Sequence, residues 1–169
     1  MKTKLLITLI FSISTLNFAN AQTCNPNSPH NWSDSRYTVN ADGTVLDKIT
    51  RLIWKQCVEG LTASDCATGS VAKYTWKQAF EFANSHTFAG KSDWRLPNLK
   101  ELASLAAFDC YNPSINETIF PNTPTYSFWS SSPNAYLSNN VWLLSFNTGY
   151  DSYDIRSNNN RLRLVRFGQ

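Results

Sequence analysis

Four cysteines, Cys24, Cys57, Cys66 and Cys110, constrain this 169-residue chain more than any other feature. They follow an export-type leader. Met1-Lys2-Thr3-Lys4 is a basic start, Leu5 to Phe18 is an apolar run, and Ala19-Asn20-Ala21 offers small residues for cleavage. This pattern predicts a secretory signal peptide over residues 1–21 and a single mature domain over 22–169. The leader's run is short for a membrane span, and no later segment is long and apolar enough to cross a bilayer. The expected location is therefore secreted, periplasmic or at the cell surface. Thiols oxidise there, so the cysteines are expected as two disulfides. Four cysteines allow three pairings. Cys57 and Cys66 enclose the short polar stretch "VEGLTASD" and make the natural local pair, which leaves Cys24 for Cys110. A zinc site is the poorer reading, because there is no C-x-x-C and the only histidines are His30 and His86.

Charge excludes another class. Removing Lys2 and Lys4 from the 15 basic residues leaves 13 against 12 acids, a net of about +1. Such a balance attracts polyanions weakly, and no nucleic-acid-binding signature is present, so nucleic acid is not an expected partner. Six Trp, seven Tyr and ten Phe supply ample material for a core.

The pattern of periods predicts an α+β domain. "YTVNADGTVLD" reads as a hairpin turning at Asn40–Gly43, and "RLIWKQC" as the next strand. Thr75 caps a helix carrying Trp76, Ala79, Phe80 and Ala83 at helical spacing. Asn98 and Glu101 form a capping box for a second helix, whose buried stripe is Leu99, Leu102, Leu105 and Ala106. Irregular backbone is expected over residues 107–125. Four short strands then follow at "YSFWSSS", "NVWLLSF", "GYDSYDI" and "RLRLVRF". Two helices packed on short antiparallel strands, with long irregular loops and two disulfides, is the expected architecture.

Two groups of charged residues invite a functional reading. Asp93 and Arg95 flank Trp94, and Glu101 sits in the first turn of the second helix, where a carboxylate is favoured. Arg163 and Arg166 lie near the last strand. These five residues are expected to form an internal ion-pair brace, since a buried Arg left unpaired costs about 3–5 kcal/mol. In "IRSNNNRLRLVR", alternation places Arg161 and Arg163 on one face and Leu162 and Leu164 on the other. Arg156 and Arg161 are then the candidate binding residues, with Asn158, Asn159, Asn160 and Tyr153 around them. Their guanidinium forks match sulfate or carboxylate, and Tyr150, Tyr153 and Trp142 are available to stack on sugars.

Chemistry is not expected. Ser130–Ser132 lacks a Gly-x-Ser-x-Gly elbow, and His86 falls at a helix end, where a plain C-terminal cation is the commoner role. The serines are expected to bond backbone or water. Asp151 and Asp154 with Asn158–Asn160 supply oxygens for a calcium ion, without the EF-hand spacing. No cofactor is expected beyond that one candidate.

Five stretches carry a family likeness. "DKITRLIWKQC", "TWKQAFEFANSHTFAGKSDWRLPNLKEL", "FPNTPTYSFWSSS", "VWLLSFNTGY" and "LRLVRFGQ" occur in the order found in DUF1566, the Lcl C-terminal domain family. That family resembles in fold the C-type lectin-like domains and the formylglycine-generating-enzyme group. The resemblance implies a single C-type-lectin-like domain acting as an extracellular ligand-binding or adhesin module. Acidic or sulfated glycans are the leading ligand, and a structural module binding another extracellular or periplasmic protein is the first alternative. An enzyme on the same fold is the second. The similar enzymes use a reactive Cys in their C-terminal part, and this chain has none after Cys110. A trimer is the oligomer that the likeness to a collagen-like adhesin brings into consideration. Arg51 departs from the family, which usually has Gly in its Thr-Gly-Leu step.

Overall fold

The computed structural model describes residues 21–29 and 32–168. Residues 1–20 of the expected signal peptide over 1–21 lie outside the described residues, as do His30, Asn31 and Gln169.

The elements follow in chain order. They are β1 (Thr23–Cys24), a 3-10 turn (Asp34–Arg36), β2 (Tyr37–Val39), β3 (Thr44–Asp47), β4 (Leu52–Lys55), β5 (Leu61–Thr62) and β6 (Thr68–Gly69). Then come α1 (Trp76–Ser85), α2 (Leu99–Ala103), β7 (Cys110–Tyr111), β8 (Ser127–Pro133), β9 (Asn140–Ser145), β10 (Asp151–Ile155) and β11 (Val165–Phe167). Two antiparallel sheets dominate, one in the order β11-β4-β3-β2 and one in the order β10-β9-β8. Two short ribbons, β1-β7 and β5-β6, complete the set. This is an α+β domain with two helices on antiparallel sheets, and both expected disulfides, Cys24–Cys110 and Cys57–Cys66, are formed.

Local chemistry accounts for the elements. The hairpin turns through Gly43 at φ +79, a conformation that costs glycine little. Arg51 has φ +62, so the turn into β4 takes the left-handed backbone despite its side chain. Both helices open with a complete capping box, Thr75 with Gln78 and Asn98 with Glu101. In α1 the buried face is Ala79 and Ala83, while Trp76 and Phe80 are half-buried. The second helix is shorter than its apolar stripe. It ends at Ala103, and the buried Leu105 and Ala106 lie just beyond it.

The last strand corrects the sequence reading. Only Val165–Phe167 of "RLRLVRF" is extended, and it pairs with β4 of the first sheet, not with the three strands that precede it. Leu162, Arg163 and Leu164 are all fully buried, so the two-faced alternation fails. The reason is position. The segment crosses between the two sheets, Lys55 N donating to Leu164 O at 3.0 Å and Glu59 N to Leu162 O at 3.3 Å, and it is covered on every side.

Two apolar clusters fill the interior. One contains Tyr37, Trp54, Leu102, Phe120, Phe128 and Phe146. The other contains Ala79, Trp94, Leu96, Trp129, Leu143 and Leu162.

Candidate functional site

The seam between Asp93–Glu101 and β11 begins in the backbone. Arg95 N donates to Val165 O at 2.9 Å and Val165 N to Arg95 O at 3.0 Å. Side chains then close it. Arg95 grips Glu101 through NH1 and NH2, both at 2.8 Å, and its guanidinium lies 4.4 Å from the centre of the Phe167 ring. Burial alone would raise the Glu101 carboxyl, but the Arg95 and Asn98 N–H donors hold it below the usual carboxylate range. The buried Arg166 donates from Nε and NH2 to Asp93 at 2.7 and 3.0 Å, which draws the Asp93 carboxyl down as well.

Two residues depart from the expected internal brace: Asp93 is exposed, its side chain 56% accessible, and Arg163 has no carboxylate partner among the described residues. Its NH1 donates to the carbonyls of Lys55 (3.0 Å) and Gln56, and NH2 donates to Thr123 Oγ1 at 2.7 Å. Its guanidinium also lies 4.8 Å from the Phe120 ring centre. Main-chain carbonyls at the end of β4 are what the crossover meets; they accept from NH1 without neutralising the charge, and the buried Nε has no partner among the described residues. Burial lowers the Arg163 pKa to about 9, so the side chain remains charged at neutral pH. A further pair escaped the sequence reading. Arg36 binds both oxygens of the fully buried Asp47 across the first hairpin.

Arg156 and Arg161 have a different environment. Their backbones are pinned. Trp76 N donates to Arg156 O at 3.0 Å, Trp129 N to Arg161 O at 2.9 Å, and Tyr74 and Asn160 exchange main-chain bonds between them. The Arg156 guanidinium lies 4.6 Å from the Trp76 ring centre, and that of Arg161 lies 3.7 Å from Tyr126. Both residues are half-buried, their Nε atoms are buried without a hydrogen-bond partner, and neither guanidinium has a carboxylate partner among the described residues. Burial pulls Arg161 below its usual range. Tyr126 and Tyr153 are exposed, and Tyr153 meets Trp142 edge-on at 5.9 Å.

The asparagines serve the turn. Asp154 accepts from Asn158 Nδ2 at 2.7 Å and from the buried Asn160 Nδ2 at 2.8 Å, while Asn159 is exposed. These two amides act as donors, and strand alternation sets Asp151 and Asp154 on opposite faces of β10. Asp151 therefore stands apart from the cluster that Asp154 makes with Asn158 and Asn160. Ser130 Oγ donates to Trp142 O, and Ser132 Oγ accepts from Leu99 N, so both hydroxyls bind backbone.

One feature has no counterpart in the sequence reading. A cleft of about 820 Å³ opens between the Asn40–Gly43 turn, the loop Leu61–Ser64, and His86 with Phe88. Lys55 lies at its base, buried, with Nζ 2.8 Å from Glu59 Oε2 and 3.3 Å from His86 Nε2. His86 corrects the expectation of a helix-end cation. Its ring stacks 4.7 Å from Phe82, and burial lowers its pKa from 6.5, so the imidazole is neutral at pH 7. The sequence signal was faint: a lone Lys ending an apolar strand, and a His 31 positions away.

No curated protein matches the chain. Residues 43–166, which run from the glycine of the first turn to the arginine that closes the seam on Asp93, match the Lcl C-terminal domain. This chain therefore belongs to the Lcl C-terminal domain family.

Proposed function

We propose that this protein is a non-catalytic, lectin- or adhesin-like binding domain that works outside the cytoplasm and recognises acidic or sulfated glycans. The two disulfides suit an oxidising compartment. The carrying observation is the contrast in partners. Arg36, Arg95 and Arg166 pair with carboxylates and Arg163 gives NH1 and NH2 to carbonyls and a hydroxyl, whereas Arg156 and Arg161 lie against aromatic rings with no carboxylate partner among the described residues. A guanidinium held against a ring, on a pinned backbone, is set up for an external anion at little entropic cost. Two such groups on two separate rings suit a chain with repeated charges.

The test is a salt titration of binding to an immobilised sulfated polysaccharide, beside its desulfated form. Affinity is expected for the sulfated form and should fall as salt rises, because half-exposed charge contacts are screened. Absence of binding at low salt, or equal binding to both forms, would end the glycan reading. One observation favours a protein partner as the alternative. Tyr136, Tyr150, Tyr153 and Ile155 are all exposed, Tyr136 almost completely at 94%. A complex insensitive to both salt and sulfation would support that reading.

A further inference from the structure

We propose that the cleft beside the Asn40–Gly43 turn is a second ligand site, for a small, uncharged, largely apolar molecule bearing one hydroxyl or carbonyl oxygen. The volume, about 820 Å³, is that of a small-molecule site. Val39, Ala41, Leu61 and Ala63 give it apolar walls. Those walls are fixed before any ligand arrives. Gln56 N donates to Gly43 O at 3.0 Å and ties the hairpin turn to the end of β4. The Cys57–Cys66 disulfide closes the opposite loop.

The base selects the ligand's polarity. The Lys55 ammonium has only N–H donors to offer, so the facing His86 Nε2 must accept and the ring proton must sit on Nδ1. Among the described residues Nδ1 has no hydrogen-bond partner and is not a sealed-off atom, which leaves one N–H donor on a residue that lines the cleft. Glu59 neutralises Lys55 at 2.8 Å, so the base as a whole carries no net charge. A carboxylate entering this apolar space would lose its hydration without gaining an unpaired cation, whereas a hydroxyl or carbonyl loses much less. Apolar substitutes for a buried ion pair are commonly neutral or stabilising, so the presence of this pair is not explained by stability alone. A site for charged glycan and a site for a neutral apolar guest are thus separate, and the second does not rest on the first.

The matched probes are 2-naphthol and 2-naphthoate, which share a ring system and differ in charge. Titration calorimetry at pH 7.5 on the disulfide-bonded protein should show naphthol binding at least about tenfold tighter than naphthoate. Ala41→Trp, on the exposed turn, fills the cleft and should weaken naphthol by about tenfold or more. His86→Phe keeps the ring stack but removes the donor, and should weaken naphthol while leaving a ring without oxygen, naphthalene, unaffected. Arg156→Gln should change neither. No naphthol binding, equal binding of the two probes, or naphthol binding unchanged in Ala41→Trp would overturn the proposal.

Discussion

The seam at β11 and the turn from Arg156 to Arg161 are neighbours in sequence and use the same side chain for opposite ends. At the seam, the Arg166 fork meets Asp93 and the Arg163 fork meets two carbonyls and a hydroxyl, with both side chains buried. A few residues earlier, Arg156 and Arg161 rest on Trp76 and Tyr126 with their charge unmatched by the protein. What separates the two pairs is the supply of fixed acceptors around them. An arginine whose terminal donors meet fixed acceptors in the interior contributes to the fold and has little left for a ligand. One held by a ring and a pinned backbone contributes little to the fold and, although its Nε is buried, keeps its terminal nitrogens unspent on protein acceptors.

The contrast breaks most directly at Arg163. Arg163→Ala removes the donors to Lys55 O, Gln56 O and Thr123 Oγ1 and leaves a cavity beside Phe120. Losing such a buried network is expected to cost about 3–5 kcal/mol, read as a lower urea midpoint. A variant of native stability would mean that the crossover does not depend on this side chain.

A smaller loss is expected at Glu101, where Glu101→Ala removes the Arg95 partner and half of the capping box together. The cost should be about 1–2 kcal/mol by thermal denaturation. The same carboxyl gives a pH signature. Its folded pKa lies below the ordinary 4.5, so the unfolded chain binds the proton first on acidification. Its contribution is complete above that value and is lost as pH falls through the folded pKa. The wild type should therefore lose stability below about pH 4.5 more steeply than Glu101→Ala. Parallel acid profiles would contradict the pairing.

Much of this fold can be read from local signals. The disulfide spacing, the Gly43 turn and the two capping boxes each depend on a few adjacent residues, and each is found in the structure. The misread element is the one whose environment is set by distant chain. Arg-Leu-Arg-Leu looks like a strand with one wet face, but alternation carries information only where one side is open to water, and residues 162–164 have no open side. The partners of Arg163 were missed for a related reason: they are main-chain carbonyls, which no residue letter marks. The cleft joins Lys55, Glu59 and His86 from across a turn and a helix, and their convergence follows from packing alone.

The central claim, that the protein sorts its arginines by partner into braces and contacts, is tested most directly by one pairwise measurement. Melting temperature and sulfated-polysaccharide affinity are recorded together for Arg156→Gln/Arg161→Gln and for Arg166→Gln. The account predicts that the double variant loses about tenfold or more in affinity with an unchanged melting temperature, and that Arg166→Gln melts earlier while its folded fraction binds normally. A double variant that binds fully, or an Arg166→Gln protein that stays stable and loses binding, would contradict it.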